Sequence, residues 1–512
     1  MAVSISVPDR WAVGEGSVPD PRVDLVSFRE EFYRCLPTRG DALFELTDAL
    51  LCSGTAVRTL VELSLAAEHR RGHGALYDAI NCGRVDFTRL RRALGGLTIP
   101  CDRGGRIVLA VDVSAWLRPD APTSPQRGFC HVYGRGKNQA QLIPGWPYSF
   151  VAALETGRTS WTSVLDAVRL RPDDDETAVT ATQVREVITR LREAGHHRDG
   201  DPDILLVFDA GYELARLAFV LADLPVQVLG RMRSDRVLCF PAPPPARTGR
   251  PPRHGPEFRF ADPITWPAPE TTSSTETDRY GTASASAWNR LHPRLVHRGS
   301  WAQHPGPPPI VEGTVIRLTV DHLPGDRHPT PVWLWCSDPG VGADDLDRLW
   351  QLFLRRFDLE HTFRFFKQTL GWTAPRLRSP EAADRWTWIV LVAYAQLRLA
   401  RPLAEDLRHP WERPVPPPRL TPARVRRGFS RTRAAMPVPA SAPKPSRPGP
   451  GRPPGSKNTH RAPHHHVGKR AETKGRKPVG AACPGSGGPG ESHPGAPTAP
   501  CLTVSRYTAL LT

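Results

Sequence analysis

Lysine is scarce in this 512-residue chain: only seven of its 68 basic residues are Lys, the rest being Arg. Five of the seven lie at 444 and beyond, so Lys137 and Lys367 stand alone in the preceding stretch. Arg has replaced Lys wherever either cation serves, so a Lys that persists marks a place where a compact ammonium differs from a planar guanidinium. Paired cysteines are missing too. The nine Cys are scattered singly with no C-x-x-C, which excludes the usual zinc ribbons and points to reduced thiols in a cytosolic setting. The first residues have no basic stretch followed by an apolar one, so no secretory signal is expected. The longest apolar run, Trp386–Leu397, is too short to span a bilayer.

What the chain has in excess is positive charge, formally +16, together with 56 Pro and 42 Gly. The charge is local. Residues 414–480 carry 16 Lys and Arg against the single acid Glu472, whereas residues 1–413 carry 51 basic and 50 acidic residues. A polycationic segment on a neutral body suggests a nucleic-acid partner. Its Pro/Gly content and few large apolar groups predict a disordered basic tail over 414–512.

Apolar spacing predicts short helices over 24–35, 41–52, 55–69, 74–82 and 86–94. This makes 1–104 a helical DNA-binding domain, with a plain helical bundle as the alternative. From Arg106 the pattern turns to α/β. Strands are expected at 107–116, 129–133, 148–154, 161–170, 203–212 and 226–240, with helices at 174–195 and 213–224. Residues 241–313 read as an insertion rich in Pro, Gly, Ser and Thr. Strands at 315–320 and 331–337 and helices over 344–372 and 381–400 complete a mixed sheet. The core thus divides into 105–240 and 314–413.

Two of the buried-strand runs, IVLAVD and ILLVFD, end in acids, Asp112 and Asp209. Acids at strand ends sit at the sheet rim, where α/β proteins hold ligands. A turn or cap role explains either one alone, but two together suggest a shared Mg²⁺ site built from hard oxygen ligands. On a continuous helix over 344–372, Phe353, Arg356, Glu360 and Lys367 fall within an arc of roughly 60°. Glu360 would then lie along the buried stripe as a third carboxylate, its alternative partner being Arg356 four residues back.

The spacing Phe353-x2-Arg356-x3-Glu360-x6-Lys367 resembles the Tyr-x2-Arg-x3-Glu-x6-Lys signature of DDE insertion-sequence transposases, with Phe353 in place of the usual Tyr. Asp209-Ala-Gly-Tyr212 is similar to the motif around that family's second carboxylate, and IVLAVDVS to its first strand. One of the two lysines outside the tail, Lys367, falls on the signature position. The resemblance implies a ribonuclease-H-like mixed sheet with a β-rich or irregular insertion before the Glu helix. It implies two Mg²⁺ ions (Mn²⁺ as a substitute) on Asp112, Asp209 and Glu360, double-stranded DNA as partner, a homodimer on paired ends, and a bacterial, cytoplasmic, nucleoid-associated setting. Arg356 and Lys367 would bind phosphates near the cut, extended by Arg231 and Arg233, with Lys137 a further candidate. Trp266, Trp288 and Trp301 would be candidates to stack on a displaced base, against the alternative of a structural aromatic cluster. GRPPRHG with Arg250 and GRPPGSKN with Arg452 resemble minor-groove-binding hooks. His196-His197 and His464–His466 lack metal-binding spacing and read as surface residues. A catalytically inactive, domesticated DNA-binding derivative and a nuclease of RNA hybrids are the alternative functions.

Overall fold

A computed structural model describes residues 20–133, 140–157, 159–244, 251–278, 280–302, 304–323, 329–444, 455 and 461–468. The helical N-terminal part comprises α1 (Pro21–Arg34), α2 (Gly40–Cys52), α3 (Leu60–Ser64), α4 (His73–Cys82) and α5 (Phe87–Gly95). Then follow β1 (Val108–Leu117), β2 (Gly128–Tyr133), β3 (Ala140–Leu154), β4 (Thr162–Arg169), α6 (Glu176–Glu193), β5 (Ile204–Phe208), α7 (Leu214–Val220) and β6 (Val226–Met232). The insertion supplies β7 (Val237–Cys239), β8 (Glu257–Arg259), β9 (Thr271–Thr277) and β10 (Gly281–Leu291), and the core resumes with β11 (Gly313–Val320) and β12 (Val332–Cys336). Helices α8 (Ala343–Arg355), α9 (Phe357–Gln368), α10 (Pro380–Ala400) and α11 (Pro422–Ala434) complete the described elements. Local chemistry sets many of these starts. Asp175 accepts from the Thr177 and Ala178 amides to cap α6, while Ser379 and Thr421 cap α10 and α11, each followed by Pro at the first helical position.

Among the described residues one ten-stranded sheet runs β2-β3-β1-β5-β6-β12-β11-β10-β9, with β4 on β3. β1, β5 and β6 are parallel and the remaining pairs antiparallel, which is the mixed, ribonuclease-H-like arrangement expected. Leu109 and Val111 of β1 pack with Val184, Val187 and Leu217 of α6 and α7 on one face. Val108 and Ala110 point to the other, with Phe363 of α9 and the α10 helix. A strand covered on both faces reads as an unbroken apolar run, which is why β1 and β5 stood out in the sequence.

The insertion is strand-rich and continuous with the sheet, because β10 pairs with β11 over most of its length. Its rings close a second apolar cluster in which Phe258, Phe260, Trp288 and Trp333 are all buried.

Buried residues of the N-terminal helices and of the core belong to one hydrophobic cluster. Helix α10 is the reason. It is apolar nearly all round and packs against α1, α2, α4 and α11 as well as β4. The expected helix 55–69 contracts to α3, capped by Thr59. The expected helix 344–372 is two helices joined at Arg356, whose amide and carbonyl make three-residue bonds to Phe353 and Leu359.

The largest correction concerns the tail. Residues 414–444 are folded, with Leu420, Val425 and Phe429 of the α11 region at 0–1% exposure. Its arginines are partnered: Arg424 with Asp406, Arg427 with Glu412, Arg431 with Glu405 and Arg433 with Asp48. Arg426 donates to the carbonyls of Leu50 and Thr55, closing the end of α2. Much of the charge that suggested a solvated tail is thus paired within the fold, the Arg431–Glu405 pair lying at the surface. Farther on, His465 and Gly468 donate backbone bonds to Pro122 and Arg127 beside β2, so this short stretch of the expected tail is docked as well.

Candidate active site

The register of the parallel pair β1–β5 ends at Val111 opposite Phe208. Asp112 and Asp209 are each the next residue, so the two carboxylates arise at one level on neighbouring strands, which lie about 5 Å apart. Asp112 is further fixed by the Val113 amide, which donates to its Oδ1 at 2.8 Å. Asp209 leaves β5 at a turn that carries Tyr212 back onto Phe208, ring centroids 4.9 Å apart.

Glu360 comes from the first turn of α9 and faces both acids across a single guanidinium. Arg356 reaches Oδ2 of Asp112 at 2.8 Å, Oε1 of Glu360 at 3.2 Å and Oδ2 of Asp209 at 3.5 Å. Its side chain is 3% exposed, whereas the three acids are 18%, 38% and 24% exposed for Asp112, Asp209 and Glu360. Its neighbour Arg355 turns the other way, to the Glu155 carbonyl and Asp358. The break between α8 and α9 thus gives two consecutive arginines different tasks. The alternative considered for Glu360, an ion pair with Arg356, and its gathering with Asp112 and Asp209 hold at the same time.

Burial dominates the electrostatics. It pushes Asp112 up to about 6, against the pull of Arg356 and with the push of Asp209 and Glu360. Glu360 is raised for the same first reason. Burial works against the charge of Arg356, yet the three acids outweigh it and its pKa is raised. A site in which carboxylates are costly to ionise and share one cation is poised to accept more positive charge.

Among the described residues no group of three or more His, Cys, Asp or Glu is arranged to hold a metal ion, and here the acids face a guanidinium instead of one another. The donor chemistry nonetheless suits a hard divalent cation, which takes carboxylate oxygens. Asp209 Oδ1 is buried and has no hydrogen-bond partner among the described residues, an acceptor available to such an ion.

The other expected contacts divide. Lys367 lies two turns beyond Glu360, half-buried, its ammonium 5.7 Å from the Trp372 ring. Arg231 is the penultimate residue of β6, one strand from Asp209, and exposed Arg233 follows the strand with Asp235 at 3.3 Å. Lys137, Arg250 and Arg452 fall outside the described residues. The described part of GRPPRHG is built into the insertion, Arg253 donating to the Pro308 carbonyl and His254 meeting His292 at 2.9 Å. His197 is buried and its Nε2 lies 3.3 Å from the Pro202 carbonyl, which corrects its reading as a surface residue.

Two of the three tryptophans are buried in the packing of the protein. Trp288 is 3% exposed with its indole N–H on the Pro267 carbonyl, Trp301 is buried with its N–H on Glu213, and half-buried Trp266 packs on Phe258. Trp288→Ala is therefore expected to cost about 3–5 kcal/mol of stability by leaving a cavity. DNA affinity per folded molecule should stay unchanged, as chemical denaturation alongside a binding titration would show.

Spacing missed two aromatic platforms. Phe357 lies beneath the Arg356 guanidinium at 5.1 Å and Trp372 beneath Lys367. Trp372 follows Gly371, whose φ of +66° turns the chain back after α9, so no helical periodicity could place it.

A family model described as DDE superfamily endonuclease matches residues 31–294, just over half of the chain. The match includes Asp112 and Asp209 and stops before Glu360. No curated protein matches the chain.

Proposed function

From the premise that the chain belongs to the DDE superfamily endonucleases, we propose that it is a transposase, cleaving the ends of an insertion sequence and joining them to target DNA. The observation that carries the reading is the convergence of Asp112, Asp209 and Glu360, from two parallel strands and a helix, on one buried point. Family membership makes the enzyme a DNA-acting nuclease of a class that uses divalent metals. Asp112, Asp209 and Glu360 would hold Mg²⁺, which when bound activates an attacking hydroxyl and stabilises a leaving 3′ oxygen. The chain's own residues set the geometry. Val113 fixes the Asp112 carboxylate, the sheet register holds Asp209 beside it, and Lys367 offers an ammonium two turns along α9 for a phosphate. Arg231 and Arg233, at and just beyond the end of β6, would supply further phosphate contacts. Two copies working on paired ends would complete the reaction. No helix among the described residues is long and apolar enough to cross a membrane.

The test is Mg²⁺-dependent nicking of a fragment carrying the terminal repeats that flank the gene, followed by joining of its 3′ end to a second duplex. Both products are expected, and EDTA should abolish both. Binding of the fragment without cleavage in Mg²⁺ or Mn²⁺ would instead establish the inactive, DNA-binding alternative.

A further inference from the structure

We propose that Arg356 is a displaceable counter-ion: it occupies the acidic site while DNA is absent and excludes divalent cations until a DNA phosphate draws its guanidinium away. The inference rests on reading Asp112, Asp209 and Glu360 as the cation-binding set, and concerns when that set becomes available.

The first support is shared occupancy. The guanidinium takes the Asp112 and Glu360 oxygens at 2.8 and 3.2 Å and stands 3.5 Å from that of Asp209. A divalent cation needs such oxygens drawn in to about 2.0–2.6 Å around itself. The acids cannot close on an ion while a planar, five-donor group lies between them. At 3% exposure, Arg356 does this from inside the protein, where its attraction to the acids is screened little.

The second support is how little else holds the group. Its Nε is buried without a hydrogen-bond partner among the described residues, and Phe357 backs the guanidinium with a ring face only. The ion pairs are therefore its main polar anchor. A side chain held this way can exchange carboxylates for a phosphate, which a guanidinium binds with equal geometric fit.

The third is position. Arg356 is the joint between α8 and α9 and makes three-residue backbone bonds to Phe353 and Leu359. A change in its side chain thus falls between two helices and need not bend one. Glu360 sits one turn into α9, so Arg356 and the acid it must release share the same joint. Because DNA and cation would favour the same displaced state, each should raise the other's affinity by one common factor. The arrangement would withhold nuclease activity from enzyme that has no DNA.

Mn²⁺ binding to the full-length, DNA-free protein, followed by electron paramagnetic resonance, tests this. Arg356→Gln should bind Mn²⁺ on the order of tenfold more tightly than wild type. Arg356→Lys should fall between them, since one ammonium cannot bridge all three acids. Adding Asp112→Asn to Arg356→Gln should abolish the gain. If it does not, the ion binds elsewhere and the reading of the acids as ligands fails. If Asp112→Asn still weakens Mn²⁺ binding but Arg356→Gln binds no better than wild type, Arg356 is a support for the acids and the exclusion proposal is overturned. Circular dichroism checks that each variant folds. Should Arg356→Gln not fold, wild type decides: a short duplex carrying the terminal repeat must raise its Mn²⁺ affinity, and an unchanged affinity overturns the proposal.

Discussion

Asp209→Asn is expected to lower Mg²⁺-dependent DNA cleavage by ~10³-fold or more while leaving the protein as stable as before. The amide keeps the size of the side chain but removes the anion that a divalent cation requires. Stability should hold because Asp209 is the least buried of the three acids and the most distant from Arg356, at 38% exposure and 3.5 Å. Arg356 retains Asp112 and Glu360 as partners, and one of three mutually repelling charges is gone. A melting temperature equal to or slightly above wild type, with cleavage lost, fits a site whose charges are assembled at the expense of stability. Cleavage near the wild-type rate would remove Asp209 from the chemistry. A large fall in melting temperature would make it structural. Asp112→Asn should be as inactive but less cleanly so, because Asp112 makes the 2.8 Å bond that anchors buried Arg356.

What the sequence disclosed of this site followed from periodicity, and what it concealed followed from long-range contacts. Asp112 and Asp209 were legible as a pair because β1 and β5 are covered on both faces, and although a turn or cap role explains either acid alone, two such runs each ending in an acid point to a shared site. Glu360 was legible through its spacing from Arg356 and Lys367. The role of Arg356 was not, since a helix drawn as continuous puts the guanidinium on a stripe but says nothing of strand ends 244 residues away in the chain. The burial of Trp288 and Trp301 was hidden for a similar reason. An irregular Pro-rich stretch looks exposed, yet β10 joins the sheet through β11 and carries Trp288 into the interior. In the tail, composition argued for disorder because it counts charges without their partners, and the partners Asp48, Glu405, Asp406 and Glu412 all precede residue 414. Six of the sixteen basic residues counted there lie within the folded stretch 417–434.

That misreading makes the tail the place for the second large effect. Ending the chain at residue 413 is expected to leave a protein that aggregates or unfolds without a cooperative transition, although the cut leaves Asp112, Asp209 and Glu360 in place. Val425 and Phe429 fill the layer made by α2 and α10, and both are fully buried. Phe429→Ala alone should cost about 3–5 kcal/mol, a large fraction of a domain's stability. Arg426→Ala should cost about 1–3 kcal/mol, because the carbonyls of Leu50 and Thr55 then face the interior without their donor. Asp48 would lose Arg433 and be left to Arg29 alone, its partner at 2.7 Å. Removal of residues 469–512 makes the contrasting control. It takes away five Lys and Arg between 469 and 477 but none of these contacts. That variant should melt with wild type and lose only part of its DNA affinity, with a shallower dependence on salt. Equal stability of the two truncations would mean that α11 contributes nothing to the fold. A fall confined to the first would place the boundary between scaffold and DNA-attracting tail some thirty residues or more beyond where composition drew it.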